Sequence, residues 1–212
     1  MDINTILFDL DGTLIDTNAL IIASFTHTLE KHTGVLYKEE DILPFIGPPL
    51  IETLTKVDPT QANEMMATYR EHNLSNHDAY VKPYPTVVET IKTLSDEGYH
   101  LGIVTTKITE TAKRGLELTG LLPYFDVVVG LDEVEHAKPH PEPINKALDG
   151  LNQTPVSTIM VGDNYHDIEA GQNAGTKTAG VAWSIKGEET LANLKPDYML
   201  KEMSDLLAIV RG

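Results

Sequence analysis

The chain contains no cysteine. This excludes disulfides, a thiolate nucleophile and a cysteine-based zinc site, and it is compatible with a reducing compartment. Basic residues are scarce: 16 Lys and Arg stand against 32 Asp and Glu, giving a formal net charge of -16 at pH 7. So acidic a surface argues against nucleic acid and anionic membrane surfaces as partners. An anionic substrate stays admissible, because a bound divalent cation reverses the sign locally. No apolar run reaches the length of a membrane span. The amino terminus, Met1-Asp2-Ile3-Asn4, lacks the basic and long apolar stretches of a secretion signal. Internal repeats and low-complexity segments are missing too. A soluble cytoplasmic protein is expected, and 212 residues suit one α/β domain or such a core carrying a smaller insertion.

What is present begins with Ile6-Leu7-Phe8-Asp9-Leu10-Asp11-Gly12-Thr13-Leu14. Ile3 to Phe8 is a short apolar run that predicts a buried strand. It ends in two carboxylates flanking Leu10, and Gly12 then permits a sharp turn. Two acids at a strand's carboxyl end repel each other unless a cation neutralises them or one holds a proton. The plainer alternative is a strand followed by a solvated acidic turn.

Beyond Thr13 the pattern turns helical, with Thr17 or Asn18 available as a cap and Ile21, Phe25 and Leu29 repeating every four residues. No convincing strand is expected before about Tyr80, and Pro44, Pro48, Pro49 and Pro59 punctuate the region. Thr86 can cap a helix with Val87, Val88, Ile91 and Leu94 on one face, ended by Gly98. Strands are expected at Leu101–Thr105, Asp126–Val129, Thr158–Val161 and Thr178–Ala182. Helices are expected at Thr109–Thr119, Pro141–Leu151 and His166–Asn173, with Met203, Leu206, Leu207 and Val210 lining a closing one. This alternation predicts an α/β fold: a Rossmann-like parallel sheet with helices on both faces. The first strand lies far from its partners in sequence, which predicts a small inserted α-helical domain. The core is residues 1–14 and 83–212, and the insertion is residues 15–82.

Three further strand ends carry polar groups. Thr105-Thr106-Lys107 offers hydroxyls and loop amides to phosphoryl oxygens, although threonines are ordinary strand residues. Prolines on both sides of Lys138 hold it in one pose, so that its ammonium can meet negative charge. His136 and His140 supply no third zinc ligand, and Pro139 keeps them from sitting as on a helix. Gly162-Asp163 closes another apolar strand with Asp167 four residues on, suiting a metal ligand and its support; Asp167 alone can also cap a helix. His166, beside a helix start, is expected to be solvated.

Taken in order, Asp9-x-Asp11-Gly12-Thr13, Thr105, Lys138 and Gly162-Asp163-x-x-x-Asp167 resemble the motifs of the haloacid dehalogenase superfamily, and the insertion resembles its small helical cap. The branch that looks nearest is the phosphoglycolate-phosphatase-like one, including its bacterial inorganic pyrophosphatases. The resemblance implies Mg²⁺-dependent hydrolysis of pyrophosphate, with phosphoglycolate or another small phosphomonoester as the alternative. It implies that Asp9 attacks phosphorus and that Asp11 moves the proton. Thr105, Thr106 and Lys138 would hold the phosphoryl group. The metal would lie among Asp9, the Asp11 carbonyl and Asp163, with Asp167 orienting the shell. Thr13 fits the phosphatase pattern, and Ile21 stands where the superfamily's sugar-phosphate mutases carry histidine. A phospho-acceptor signalling domain is the competing class, but such domains lack an acid two residues after the acceptor.

Overall fold

The computed structural model describes residues 3–212. The part of the amino-terminal reading that falls on Met1 and Asp2 lies outside them. The chain runs through β1 (Thr5–Phe8), β2 (Ile15–Asp16), α1 (Asn18–Thr33), α2 (Glu39–Ile42), α3 (Leu50–Val57), α4 (Ala62–Tyr80) and β3 (Lys82–Pro83). It continues through α5 (Val87–Asp96), β4 (His100–Val104), α6 (Thr109–Leu118), β5 (Val127–Val129), α7 (Glu142–Leu151), β6 (Thr158–Gly162) and α8 (Tyr165–Ala174). It ends with β7 (Lys177–Val181), α9 (Glu188–Ala192), β8 (Tyr198–Leu200) and α10 (Asp205–Arg211).

Six of these strands form one parallel sheet in the order β5-β4-β1-β6-β7-β8. Side chains alternate across it. Ile6 and Phe8 join one apolar cluster, whereas Leu7 joins the other. Ile144, Ala147 and Leu148 of α7 and Ala170 of α8 cover the Leu7 face. Ile91 of α5, Leu116 of α6 and Leu206 of α10 cover the opposite one. Burial on both faces is why the strands read as continuous apolar runs. Phe8 pairs with Ile103 on one side and Val161 on the other, so β1 is central. The chain builds outward from β1 through β4 to β5, then crosses back to β6 on the other side. That reversal opens a crevice at the strands' carboxyl ends.

Between β2 and β3, helices α1 to α4 gather around an apolar cluster of their own, including Phe25, Leu29, Leu54 and Met65. Phe25 packs on Tyr69 with ring centroids 4.8 Å apart.

Most expected elements shift by one or two residues, as helix and strand ends do; the first strand starts at Thr5, not Ile3. Several differences have physical causes. The region expected to lack strands holds β2, which pairs with β3 in a two-residue antiparallel ladder, too short for any periodic signal. Edge strand β8 and the five-residue α9 also lacked one. Thr86 occupies the cap position of α5 as expected, but it sits at φ 63° and its hydroxyl makes no cap bond, being buried without a partner among the described residues. Thr17 occupies the cap position of α1, but its hydroxyl donates to Asp11 Oδ1 at 2.7 Å instead of to the helix. Met203 packs in the core, two residues ahead of α10 and not within it.

Leu7→Ala removes a fully buried side chain beneath the crevice. It should cost about 2–5 kcal/mol in urea unfolding. Leu36→Ala, at a position 68 % exposed, should stay within about 0.5 kcal/mol of the parent.

Candidate active site

Asp9 is the first residue past β1, and its amide still donates to Val161 O at 2.9 Å. Its neighbours come from three other segments. Lys138, from the loop before α7, donates to Asp9 Oδ1 at 2.8 Å, to Asp167 Oδ1 at 2.6 Å and to Val104 O at 2.7 Å. Asp163 follows β6; Thr13 Oγ1 donates to its Oδ1 at 3.3 Å, and Ser184 Oγ to its carbonyl at 2.7 Å. Gly12 lies against this carboxylate: a Cβ there would come 2.4 Å from Asp163 Oδ2, and its φ is +82°. Glycine at that position is what lets the two strand ends meet.

Oxygens of Asp9, Asp163 and Asp167 lie within 4.8 Å of one another, all buried. Burial pushes the Asp9 carboxyl up to about 7, with Lys138 opposing and Asp167 adding to the rise. Burial likewise pushes Asp163 well above the usual carboxylate range, reinforced by Asp167 and Asp9. Burial works against the charge on Lys138, but Asp167 and Asp9 hold its ammonium above the ordinary lysine value. One ammonium therefore faces three acids, leaving a deficit of positive charge.

Asp167 fulfils both readings offered for it. Its Oδ2 accepts the Asn164 amide at 3.0 Å, closing a capping box at the start of α8, while its Oδ1 meets Lys138. Asp11 points to different partners: Thr17 Oγ1 and Lys107 Nζ each reach its Oδ1 at 2.7 Å. Thr105 is buried and its hydroxyl accepts the Lys107 amide at 3.1 Å. Thr106 uses its hydroxyl on the insertion, donating to Gly47 O at 3.2 Å. His166 is not solvated as expected. It is buried, with Nδ1 3.1 Å from Asn164 Oδ1, and burial lowers it to about 4. His136 and His140 stay outside the cavity, but Glu142 stands with them as the third donor that the sequence did not reveal.

The insertion roofs the crevice. Ile46 O accepts from Asn164 Nδ2 at 3.2 Å and from Lys186 Nζ at 2.6 Å. Beneath it lies a cavity of about 330 Å³ lined by Asp9, Asp11, Lys138 and Asp163 from below and by apolar residues such as Phe45 and Leu50 from above. Lys107 and Arg70 reach the same space. Arg70, exposed on α4, has no ion-pair partner among the described residues. Neither cation was singled out from sequence: Lys107 finds its acid 96 residues away, and Arg70 sits on a largely polar helix. Among the described residues, no helix is long and apolar enough to cross a membrane.

A model of haloacid dehalogenase-like hydrolases matches residues 6–181. A protein of Anoxybacillus flavithermus named pyrophosphatase PpaX is 60 % identical, over 99 % of this chain and 98 % of its own. One of the same name from Bacillus cereus is 56 % identical, over 99 % and 97 %. Among solved structures, a haloacid dehalogenase-like family hydrolase from Streptococcus pneumoniae is 28 % identical with a TM-score of 0.88, covering 98 % of each chain.

Gly47 has φ +112°, and a Cβ there would come 2.1 Å from Asn164 Nδ2. Gly47→Ala should therefore lift the roof off the crevice. Hydrogen exchange at amides 45–52 should quicken at least tenfold while β1 stays protected; unchanged exchange would show that these contacts do not hold the roof down.

Proposed function

The chain belongs to the haloacid dehalogenase-like hydrolase family, and from that premise we propose that it hydrolyses inorganic pyrophosphate to two phosphates beneath the helical cap. The full-length relatives named pyrophosphatase support the substrate. The chemistry rests on one observation: Asp9, at the end of the central strand, is buried against the Lys138 ammonium at the floor of a roofed crevice.

The residues fit a divalent cation. Three buried carboxylates surround one lysine, and two of them are pushed toward their protonated forms by burial and by the neighbouring acids. An all-oxygen donor set suits Mg²⁺. Asp9, the main-chain carbonyl of Asp11 and Asp163 would hold it, with Asp167 as support. Bound there, Mg²⁺ would neutralise the acids enough for one of them to approach an anion.

An oxygen of Asp9 bonds to phosphorus as the bridging P–O bond breaks, and the first phosphate leaves. Asp11 gives its proton to the departing oxygen. As a carboxylate it then takes a proton from the water that attacks the aspartyl-phosphate, releasing the second phosphate and restoring Asp9. Lys138, Thr105 and the Thr106 loop hold charge on the transferred oxygens. Lys107 and Arg70, the other cations that line the cavity, receive the leaving phosphate. The apolar roof excludes water other than the nucleophile. This reading places the enzyme in the cytoplasm, in keeping with a chain that has no cysteine.

Phosphoglycolate is the second reading, favoured by a cavity of about 330 Å³ with an apolar ceiling, roomier than a diphosphate needs.

Phosphate release from pyrophosphate and a panel of monoesters, with and without Mg²⁺, tests the assignment; a higher kcat/KM on phosphoglycolate would transfer it to the second reading. Asp9→Asn should abolish turnover of every substrate. Phosphate leaves as a weaker base than an alkoxide and needs less protonation. Asp11→Asn should therefore slow single-turnover cleavage of an alkyl phosphate more than that of pyrophosphate, and equal losses would refute this role. Arg70→Met should lower kcat/KM for pyrophosphate about 10- to 100-fold, the worth of one charge-assisted contact.

A further inference from the structure

The loop between β5 and α7 carries two opposed sets of groups. Lys138 turns inward to the catalytic acids, while His136 and His140, two residues to either side, remain about half exposed or more on the outer surface. Their rings lie face to face, with centroids 4.6 Å apart and planes inclined by 31°. Glu142, the first residue of α7, completes the group. Its carboxylate is already fixed, because Oε1 accepts the Glu135 amide at 2.8 Å and Oε2 the His136 amide at 3.0 Å. Oε2 also lies 2.9 Å from His136 Nδ1 and 3.9 Å from His140 Nδ1. All three donors fall within 4.8 Å of one another.

We propose that His136, His140 and Glu142 form a second metal site, for a borderline transition ion of the Zn²⁺ class, on the outer face of the loop that carries Lys138. Two imidazoles and a carboxylate are one of the donor sets of zinc sites with three protein ligands, in which a water fills the fourth position. Ligands at about 2.0–2.2 Å in a tetrahedron stand about 3.4 Å apart. The separations of 2.9 and 3.9 Å from Glu142 Oε2 bracket that value. Closing the site takes side-chain rotations, and His136 Nδ1, now hydrogen-bonded to Glu142 Oε2, would bind the ion in its unprotonated form. His140 Nδ1 would give up the Glu142 amide, which it now accepts at 3.2 Å. Imidazole nitrogens select against Mg²⁺, so the two sites divide metals by donor type: hard oxygens inside, nitrogen-containing ligands outside. The chain's net charge of -16 raises the local concentration of any cation. Because the ligands flank Lys138, an ion there ties together both sides of the loop that positions it.

The test is titration of the metal-stripped full-length protein with ZnCl₂ by calorimetry, in millimolar Mg²⁺ to keep the inner acids occupied. One Zn²⁺ should bind per chain with a micromolar dissociation constant. His136→Ala, His140→Ala and Glu142→Gln should each weaken binding about tenfold or more, the usual range for disturbing a metal's ligands or their support. Asp163→Asn should bind as the parent does. Since the two histidines are exposed, their variants should keep parental melting temperatures without zinc, and all three variants should keep the parental rate on whichever phosphate compound the inner site hydrolyses. Cobalt(II) should give the visible absorption of a tetrahedral site in the parent and not in the double histidine variant. Binding weaker than about 100 µM, binding indifferent to the histidines, or binding lost in Asp163→Asn would each overturn the proposal. None of these results depends on which phosphate compound the inner site hydrolyses.

Discussion

The structure turns on one buried ammonium. Lys138 Nζ joins the end of β1 through Asp9, the end of β4 through the Val104 carbonyl, and the first turn of α8 through Asp167. These partners lie 129, 34 and 29 residues away in sequence. Removing one partner of a buried ion pair costs about 3–5 kcal/mol, because the remaining charge stays stranded in a poor solvent. Here, losing the lysine would strand two carboxylates at once. The same contact gives the site its character. It keeps one oxygen of Asp9 engaged and oriented, and it leaves the acid cluster short of positive charge, a condition that a proton or a further cation relieves.

The cap shapes the reaction by a different means. Its helices are anchored to the core by the Asp78–Arg114 ion pair and by Leu20, which packs in the core's apolar cluster, whereas its turn over the crevice is held by polar contacts: two backbone carbonyls, of Ile46 and Gly47, taken up by Asn164, Lys186 and Thr106. Such contacts can be exchanged for water at modest cost, so the roof can open for substrate and product. The roof itself is apolar, and under it every charge interaction with the phosphoryl groups strengthens. Asn164 links the two halves of this arrangement. It follows Asp163, reaches into the cap, and lies against the buried His166, which burial holds well below the usual histidine value.

Some of this was legible in the residues. The four strand-end motifs each follow an apolar run, and an apolar run buried on both faces is a strong local signal. Asp9, Thr105 and Asp163 therefore stand where they were expected, each at or beside a strand's carboxyl end. Lys138 was legible through its flanking prolines. β8 and the β2–β3 ladder were not, because two or three residues carry no period. Thr17 and Thr86 were misjudged because a tertiary partner, or none, replaced the local cap. His166 was misjudged because its burial comes from surroundings beyond its own helix.

The amino-acid order by itself determined the alternation of strands and helices, the acids at the strand ends and the excess of negative charge, since each depends on neighbours a few residues away. Only the tertiary structure decided that Lys107 grips Asp11, that Arg70 faces the cavity with no ion-pair partner among the described residues, and that Glu142 joins His136 and His140. Those outcomes depend on distances between groups that the topology of the sheet, the packing of the cap and the path of one loop bring together. A charged side chain looks the same in a sequence whatever it will come to face.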